Sequence, residues 1–170
     1  MMVWGGGNGS FKLSTGGRYC TCIPTTYYRD ADGDGFGSGD VPVESCTQPS
    51  GYVADGSDCD DGSASLWRTP GEVRDLLFAD DQTLVWTAPA EGGATSLVYD
   101  LLLSNDPTDF VTSATCVASD AAATTAIDPL SPVPGAAFFY LARAQNACPK
   151  GDGSLGTRSD GTGRIGRTCP

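Results

Sequence analysis

Residues 83–89 have the sequence TLVWTAP, a short apolar run that stops at a proline. The same pattern of short apolar runs separated by turn residues continues from residue 72 to the end of the chain. Turn signals fall at residues 80–81 (DD), 91–93 (EGG), 105–107 (NDP) and 132–135 (PVPG). Intervals of this length between apolar runs are typical of a β-sandwich. We therefore predict that residues 72–170 form an all-β sandwich of about seven strands.

The individual apolar runs predict where these strands lie. We place them near residues 73–78, 83–88, 96–104, 110–118, 124–127, 137–147 and 154–168, the last interrupted by glycines. In the sixth strand, alternation places Phe139 and Leu141 on the face opposite the core-facing set Phe138, Tyr140, Ala142 and Ala144. Both faces are therefore apolar, and the outer pair requires cover. The preceding acidic segment and a neighbouring chain are the two alternatives.

Three of these runs resemble a fibronectin type III domain, an immunoglobulin-like sandwich. They are residues 83–89 (TLVWTAP), 99–104 (YDLLLS) and 140–146 (YLARAQN). The resemblance implies that Leu84 and Trp86 face the core and that Tyr99 lies on the third strand. The family usually has a corner tyrosine at the position of Phe138. The resemblance therefore predicts that the corner hydroxyl hydrogen bond is absent from this chain.

An acidic loop precedes the sandwich, and residues 30–37 have the sequence DADGDGFG. Carboxylates at every second residue, with glycine where the backbone turns, are typical of a loop that surrounds a hard cation. In the register of an EF-hand, Asp30, Asp32 and Asp34 occupy positions one, three and five, and the carbonyl of Phe36 occupies position seven. Position twelve is Val41 instead of the bidentate glutamate. The loop therefore needs further ligands from elsewhere in the chain.

A second acidic stretch, residues 55–62 (DGSDCDDG), offers these ligands. The candidates to complete the site are Asp55, Asp58, Asp60, Asp61 and Glu72. An oxygen-rich set in a chain without histidine favours Ca²⁺, and the number of carboxylates suits two or more ions. A solvated acidic linker would not require the alternation, the glycine placement and the distant DCDD together.

Residues 27–74 resemble the metal-binding motif of secreted bacterial surface proteins, which is itself similar to thrombospondin type 3 calcium repeats. The matching residues are 28–37, Cys46, Pro49, 51–53, 58–61 and 70–72. The resemblance implies a metal-binding module, loop-rich in structure, in a secreted protein. The hardness of the aspartate oxygens favours calcium as the metal.

Charge and composition exclude several function classes. The formal net charge is −11, and residues 28–75 carry eleven acidic residues against three arginines. Such acidity argues against nucleic acids and anionic membrane surfaces as partners. No apolar run approaches the roughly 20 residues of a membrane helix. Because the chain has no histidine, it has no Ser-His or Cys-His nucleophile pair, and we predict that it is not an enzyme.

The cysteines predict disulfides in an exported protein. The chain has seven cysteines and no CxxC spacing, which favours disulfides over a zinc site. We expect a Cys46–Cys59 bond that folds the second acidic stretch back onto the first. We also expect a Cys148–Cys169 bond, and a bond from Cys116 to Cys20 or Cys22. The remaining thiol is either free or joins two subunits.

Composition divides the chain into a glycine-rich segment (1–25), the acidic module (26–71) and the sandwich (72–170). We expect an extracellular or cell-surface structural protein whose first segment adds a strand to another subunit, which forms a homo-oligomer, filament or layer. The alternative is an adhesive or carbohydrate-binding accessory module of a larger secreted protein. An exposed aromatic platform that binds glycans would support it, built from Trp67, Tyr52, Tyr27 or Tyr28.

Overall fold

The computed structural model describes residues 22–170, together with a pair of short antiparallel strands, β1 (Met2–Val3) and β2 (Gly17–Arg18). The described residues contain strands and loops but no helix, and therefore no helix able to cross a membrane. The other predicted features of residues 1–21, including Cys20 and most of the donor segment, lie outside the described residues. The remaining strands are β3 (Thr25–Arg29), β4 (Ser38–Ser45), β5 (Tyr52–Val53), β6 (Arg74–Phe78), β7 (Thr83–Thr87), β8 (Val98–Ser104), β9 (Ala114–Ala121), β10 (Thr125–Ile127) and β11 (Phe139–Gln145).

Strands β6 to β11 form the predicted all-β sandwich. One sheet has the order β10-β7-β6 and the other β11-β8-β9, and every neighbouring pair is antiparallel. Alternating residues of both sheets meet in a shared core, in which Leu84 and Trp86 of β7 pack with Tyr99 and Leu101 of β8. Trp86 and Tyr99 make an edge-on ring contact with their centroids 5.8 Å apart. The alternation read from the sequence therefore points to the correct core residues.

The predicted last strand, residues 154–168, is not a regular strand. The C-terminal segment (residues 151–170) begins beside β11, where the N–H of Gly153 donates to the carbonyl of Ala144 at 2.9 Å. It then crosses the outer face of the β11-β8-β9 sheet and reaches the loop before β9, where the N–H of Arg167 donates to Phe110 O at 2.8 Å. The physical reason is the apolar outer face of this sheet, which a strand added at the sheet edge would leave exposed to water.

A second core lies under the C-terminal segment. Leu155 of this segment packs with Leu102 of β8 and with Phe110, and Phe139 and Leu141 pack against the same cluster. The expected cover for Phe139 and Leu141, the acidic module or a neighbouring chain, is therefore wrong. The chain's own C-terminal segment supplies that cover.

The same covered face holds a buried ion pair. Asp100 of β8 and Arg143 of β11 are directly opposite in the register and are 0% and 4% exposed. The Arg143 guanidinium donates to Asp100 Oδ2 at 2.6 and 3.0 Å, and Gln145 donates to the same oxygen at 2.6 Å. Charged groups are buried at low cost only when they are paired and hydrogen-bonded in this way.

The disulfides differ from the expected pairs. The structure joins Cys22 to Cys46, Cys59 to Cys148, and Cys116 to Cys169, with Cα–Cα distances of 5.7, 5.6 and 5.9 Å. The expected Cys46–Cys59 and Cys148–Cys169 bonds are wrong, as is a bond from Cys116 to Cys20 or Cys22. The expected Cys46–Cys59 pair was near in sequence and the expected Cys148–Cys169 pair lay at the ends of one predicted hairpin, whereas the crossing of the C-terminal segment brings Cys169 to Cys116 of β9. Three disulfides are typical of a protein from an oxidising compartment.

Tyr140 makes a hydrogen bond that the sequence reading missed. Its hydroxyl donates to Asp128 Oδ2 at 2.9 Å, and Asp128 follows β10 and is 3% exposed. This bond joins the end of β10 to β11.

Backbone hydrogen bonds connect the acidic module to the sandwich. The module contains the sheet β4-β3-β5, and residues 65–68 after it run beside the loop at 93–95. The N–H groups of Trp67 and Arg68 both donate to Gly93 O, at 2.8 and 3.0 Å. Gly93 has a φ of +71°, and a Cβ there would lie 2.0 Å from Arg68 O. Only glycine allows this close approach.

Candidate metal centre

The first acidic loop follows β3 and is shaped by hydrogen bonds from its backbone to its own carboxylates. Asp30 Oδ1 accepts the N–H of Gly33 at 2.7 Å, and Asp32 and Asp34 each accept the N–H two residues further on, at 3.2 and 2.8 Å. Gly33 and Gly35 have φ values of +81° and +94°, which allow the sharp turns between the carboxylates. As a result, carboxylate oxygens of Asp30, Asp32 and Asp34 lie within 4.8 Å of one another.

The second acidic loop, residues 55–62, is bonded directly to the first. The N–H of Gly37 donates to Asp55 O at 2.9 Å, and the N–H of Asp58 donates back to Gly37 O at 3.1 Å. The N–H of Ala31 donates to Asp61 Oδ1 at 2.7 Å. The backbone therefore brings Asp58 and Asp61 to the Asp30–Asp34 loop.

Three carboxylate oxygens at this junction are buried without a hydrogen-bond partner. They are Oδ2 of Asp32, Asp34 and Asp58. In each of these residues Oδ1 accepts a backbone N–H two residues further on, at 3.2, 2.8 and 2.9 Å. This shared geometry fixes the carboxylate and leaves the second oxygen available. Buried polar atoms normally have a partner, and a bound ion is one of the standard explanations when they do not.

The electrostatics of the junction also favour a cation. Burial raises the pKa of the Asp34 carboxyl, against the lowering effect of the Phe36 N–H, and the nearby carboxylates of Asp32, Asp30 and Asp61 raise it further. Burial likewise raises the pKa of Asp58, and Asp34, Asp32 and Asp61 add to the effect. Negative charges from two loops therefore repel one another at one point, and a positive ion there would relieve the repulsion.

The donor set suits a hard divalent cation. All the side-chain groups that converge are carboxylates, and the chain has no histidine to offer a softer nitrogen. Calcium takes six to eight oxygen ligands in flexible geometry, whereas magnesium requires near-ideal octahedral geometry and retains several waters. The residues Asp30, Asp32, Asp34, Asp58 and Asp61 would supply the carboxylate ligands.

Several predicted ligands have other contacts. The Asp55 carboxylate accepts the Ser57 N–H at 3.0 Å and the Arg68 guanidinium at 2.9 Å. Hydrogen bonding from the Ser57 side chain first, and then from the Ser57 N–H and Arg68, holds the pKa of Asp55 below its usual value. Asp60 is exposed, and its Oδ1 accepts the Gly62 N–H at 3.3 Å. Glu72 is exposed and lies beside Gly156 of the C-terminal segment. The carbonyl of Phe36 remains a predicted ligand.

A cluster around Arg68 supports the second loop, and the sequence reading did not find it. The Phe36 and Trp67 rings are stacked with centroids 6.0 Å apart, and the Arg68 guanidinium lies over the Phe36 ring at 4.9 Å. Arg68 also forms ion pairs with Asp55 and Glu91. Residues 30–75 contain only two arginines, Arg68 and Arg74, among their acidic residues. This placement in the sequence was a signal that an arginine could pair with the acidic loops. Arg68 thus connects both acidic loops to the sandwich loop at 91–93.

The aromatic residues expected to form a glycan platform lie in the acidic module. Tyr27 and Tyr28 are on β3, Tyr52 is on β5, and Trp67 packs on Phe36. All four are half-buried. They do not form an exposed platform on a face of the sandwich.

Comparison with protein-family models, curated proteins and solved structures finds no match for this chain.

Proposed function

We propose that this chain is a non-enzymatic, calcium-binding structural protein of an extracellular or cell-surface environment. One observation carries the proposal: buried oxygens of Asp32, Asp34 and Asp58 have no hydrogen-bond partner, and they lie on two loops that are distant in sequence but hydrogen-bonded to each other. Calcium at this point would join the loops and offset their mutual repulsion. Since the second loop is bonded to the sandwich, the ion would also stiffen the connection between the two parts.

The expected strength of binding suits a structural role. Extracellular calcium modules bind with dissociation constants of about 10⁻⁴ to 10⁻³ M. At 1 mM calcium, each site then contributes about 0.4 to 1.4 kcal/mol to the free energy of unfolding by mass action. Calcium at this affinity would add to stability, and its gain or loss would not act as a rapid signal.

Removal of calcium tests the proposal. We expect excess EDTA to lower the melting temperature and to increase amide hydrogen exchange in residues 28–72, with little change in β7 and β8. Calcium should reverse both effects, and magnesium at the same concentration should reverse them less. An unchanged melting curve in excess EDTA would contradict calcium binding.

We further propose that the protein assembles into a filament or surface layer through residues 1–25. The outer face of the β10-β7-β6 sheet supports an interface, because Leu77 and Ile127 are 51% and 66% exposed there. β6 is also an edge strand of this sheet, and edge strands pair readily with added strands. Electron microscopy with and without EDTA should show assemblies of the whole chain. Deletion of residues 1–17 should leave a soluble monomer, and persistent assemblies would contradict this route.

A further inference from the structure

A cavity of about 320 Å³ lies far in sequence from the acidic loops, between the turn at residues 106–110 and a hairpin in the C-terminal segment. The hairpin is closed by antiparallel pairing of Thr157 with Gly163 and by hydrogen bonds of 2.8 and 2.9 Å between Arg158 and the turn residues Thr162 and Gly161. The opposite wall is held by the pairing of Phe110 with Gly166. Both walls are therefore fixed by backbone contacts.

The lining of the cavity combines positive charge, hydroxyl groups and apolar surface. Its lining includes Arg158, Arg164, Thr108, Ser159, Phe110 and Ile165. The two arginines extend from opposite arms of the hairpin, and the backbone of Arg164 is fixed by a 2.8 Å hydrogen bond from its N–H to Gly156 O. Phe110 belongs to the second core, which makes the apolar wall rigid.

The two guanidinium groups have no partner within residues 22–170. The ion pairs there are made by Arg68 and Arg143, and no side-chain hydrogen bond of Arg158 or Arg164 is present.

The acids close to the cavity are engaged in their own turns. Asp160 Oδ1 accepts the N–H and hydroxyl of Thr162 at 2.9 and 2.6 Å, and Asp106 Oδ1 accepts those of Thr108 at 2.8 and 2.7 Å. The Asp109 carboxylate accepts hydrogen bonds from the three residues that follow Phe110.

Two carboxylates still lie near the guanidinium groups. Hydrogen bonds from Thr162 and, to a smaller extent, the charge of Arg158 lower the pKa of Asp160, and Glu72 lies close to Arg164 Nη1 beside Gly156. Neither forms an ion pair with Arg158 or Arg164, so both guanidinium groups keep hydrogen-bond donors for a ligand.

We propose that this cavity binds a small organic carboxylate. Arg158 and Arg164 hold the carboxylate, because a planar guanidinium matches it with two parallel hydrogen bonds. The Ser159 hydroxyl donates to the rest of the ligand, and Phe110 and Ile165 contact its carbon skeleton. The volume is at the small end of the range for ligand pockets, which suits a molecule of monosaccharide size such as a uronic acid.

The test uses the whole chain with calcium at low ionic strength. Glucuronate is the probe, and glucose is the uncharged control. We expect amide NMR shifts in residues 107–110 and 157–165 with glucuronate and none with glucose. Equal shifts with glucose would overturn the proposal, as would glucuronate shifts confined to residues 30–61, which would mean that the probe coordinates the calcium. Absence of shifts at up to about 10 mM probe would overturn it as well, since that excludes even weak affinity.

Matched variants separate a built site from general charge attraction. Arg158→Gln and Arg164→Gln should each weaken glucuronate binding by about tenfold, the value of one charge-assisted hydrogen-bonded contact. Lys150→Gln makes the same change in net charge at a residue outside the cavity. The glucuronate affinity of this variant should stay within about twofold of that of the original chain. Equal weakening by all three variants would overturn the assignment. Both arginines are exposed, so their variants should retain the original melting temperature.

Discussion

Cys59 and Cys148 are joined by a disulfide that bridges 89 residues of sequence. Cys59 lies in the middle of the DCDD motif, and Cys148 lies in the turn that follows β11. Asp58 and the 60–61 pair are therefore attached covalently to the sandwich. The disulfide therefore links the sandwich to Asp58 and Asp61, the two residues proposed to complete the cation site.

Removal of this disulfide should weaken calcium binding as well as stability. We expect Cys59→Ala with Cys148→Ala to lower the free energy of unfolding by about 2 to 5 kcal/mol, since a long loop is released. Calorimetric titration should show weaker calcium binding, because Asp58 and Asp61 lose their anchor. The control is Cys116→Ala with Cys169→Ala, which removes the disulfide of the C-terminal segment and should destabilise the chain without changing calcium affinity. Equal calcium affinity in both double variants would contradict the anchoring role.

Substitution of Asp58 should weaken calcium binding but stabilise the calcium-free protein. Asp58→Asn should weaken calcium binding by about tenfold or more, because a charged ligand becomes neutral. In EDTA the same variant should melt at a higher temperature than the original chain, since the repulsion from Asp34, Asp32 and Asp61 is relieved. Asp40→Asn makes the same charge change on the exposed surface of β4 and should alter neither property. A melting temperature lowered by Asp58→Asn in EDTA would argue against the repulsion.

Acidification should change the stability of the calcium-free protein and of the calcium-bound protein differently. The pKa values of Asp34 and Asp58 are raised, primarily by burial, so in calcium-free protein the folded state binds protons at a higher pH than the unfolded state does. These two groups should therefore stabilise the calcium-free fold as pH falls through the window just above 3.8. Calcium affinity should fall in the same window because protons compete for the same oxygens. Other acids, among them Asp55 and Asp109, have lowered pKa values and destabilise the fold on acidification in both conditions. Urea unfolding across this window should therefore show a larger loss of stability with calcium than with EDTA.

The Tyr140–Asp128 hydrogen bond should be visible in alkaline unfolding. Tyr140→Phe leaves the buried Asp128 oxygen without its donor and should cost about 1 to 3 kcal/mol at neutral pH. Burial, together with the Asp128 carboxylate, raises the pKa of Tyr140 from 10.0 to about 12. Its contribution to stability is complete below pH 10 and is lost as pH rises toward 12.

The Tyr140→Phe variant should therefore lose less stability than the original chain over that pH interval. Some loss should remain because burial also raises the pKa of Tyr99. Tyr52→Phe, in the acidic module, is the control. It should change neither the free energy of unfolding at neutral pH nor the loss of stability between pH 10 and about 12. Parallel curves for Tyr140→Phe and the original chain would contradict the assignment.

Patterns over a few residues predicted much of the fold. The alternation in TLVWTAP identified Leu84 and Trp86 as core residues, and β6, β7, β8, β10 and β11 lie where the apolar runs placed them. β9 begins later than expected, at Ala114, because the Asp109 carboxylate organises the preceding residues into a turn. The predicted strand at 154–168 was wrong because this segment leaves the sheet edge and places Leu155 over a sheet face.

The candidate site was also predictable only where its geometry depends on residues close together in sequence. Spacing alone identified Asp30, Asp32 and Asp34, since their geometry depends on hydrogen bonds within six residues. Spacing could not distinguish Asp58 and Asp61, which meet the first loop, from Asp55, which pairs with Arg68.

The sequence by itself determined the local features of this protein: the turns of the acidic loop, the alternation of the sandwich strands and the need for further ligands beyond position 34. Tertiary structure alone decided which distant groups meet: Cys59 with Cys148, the second acidic loop with the first, and Leu155 with Leu102. The reason is physical. Turns and alternation depend on hydrogen bonds and side-chain directions within a few residues, whereas distant partners are selected by the burial of apolar faces in the whole folded chain.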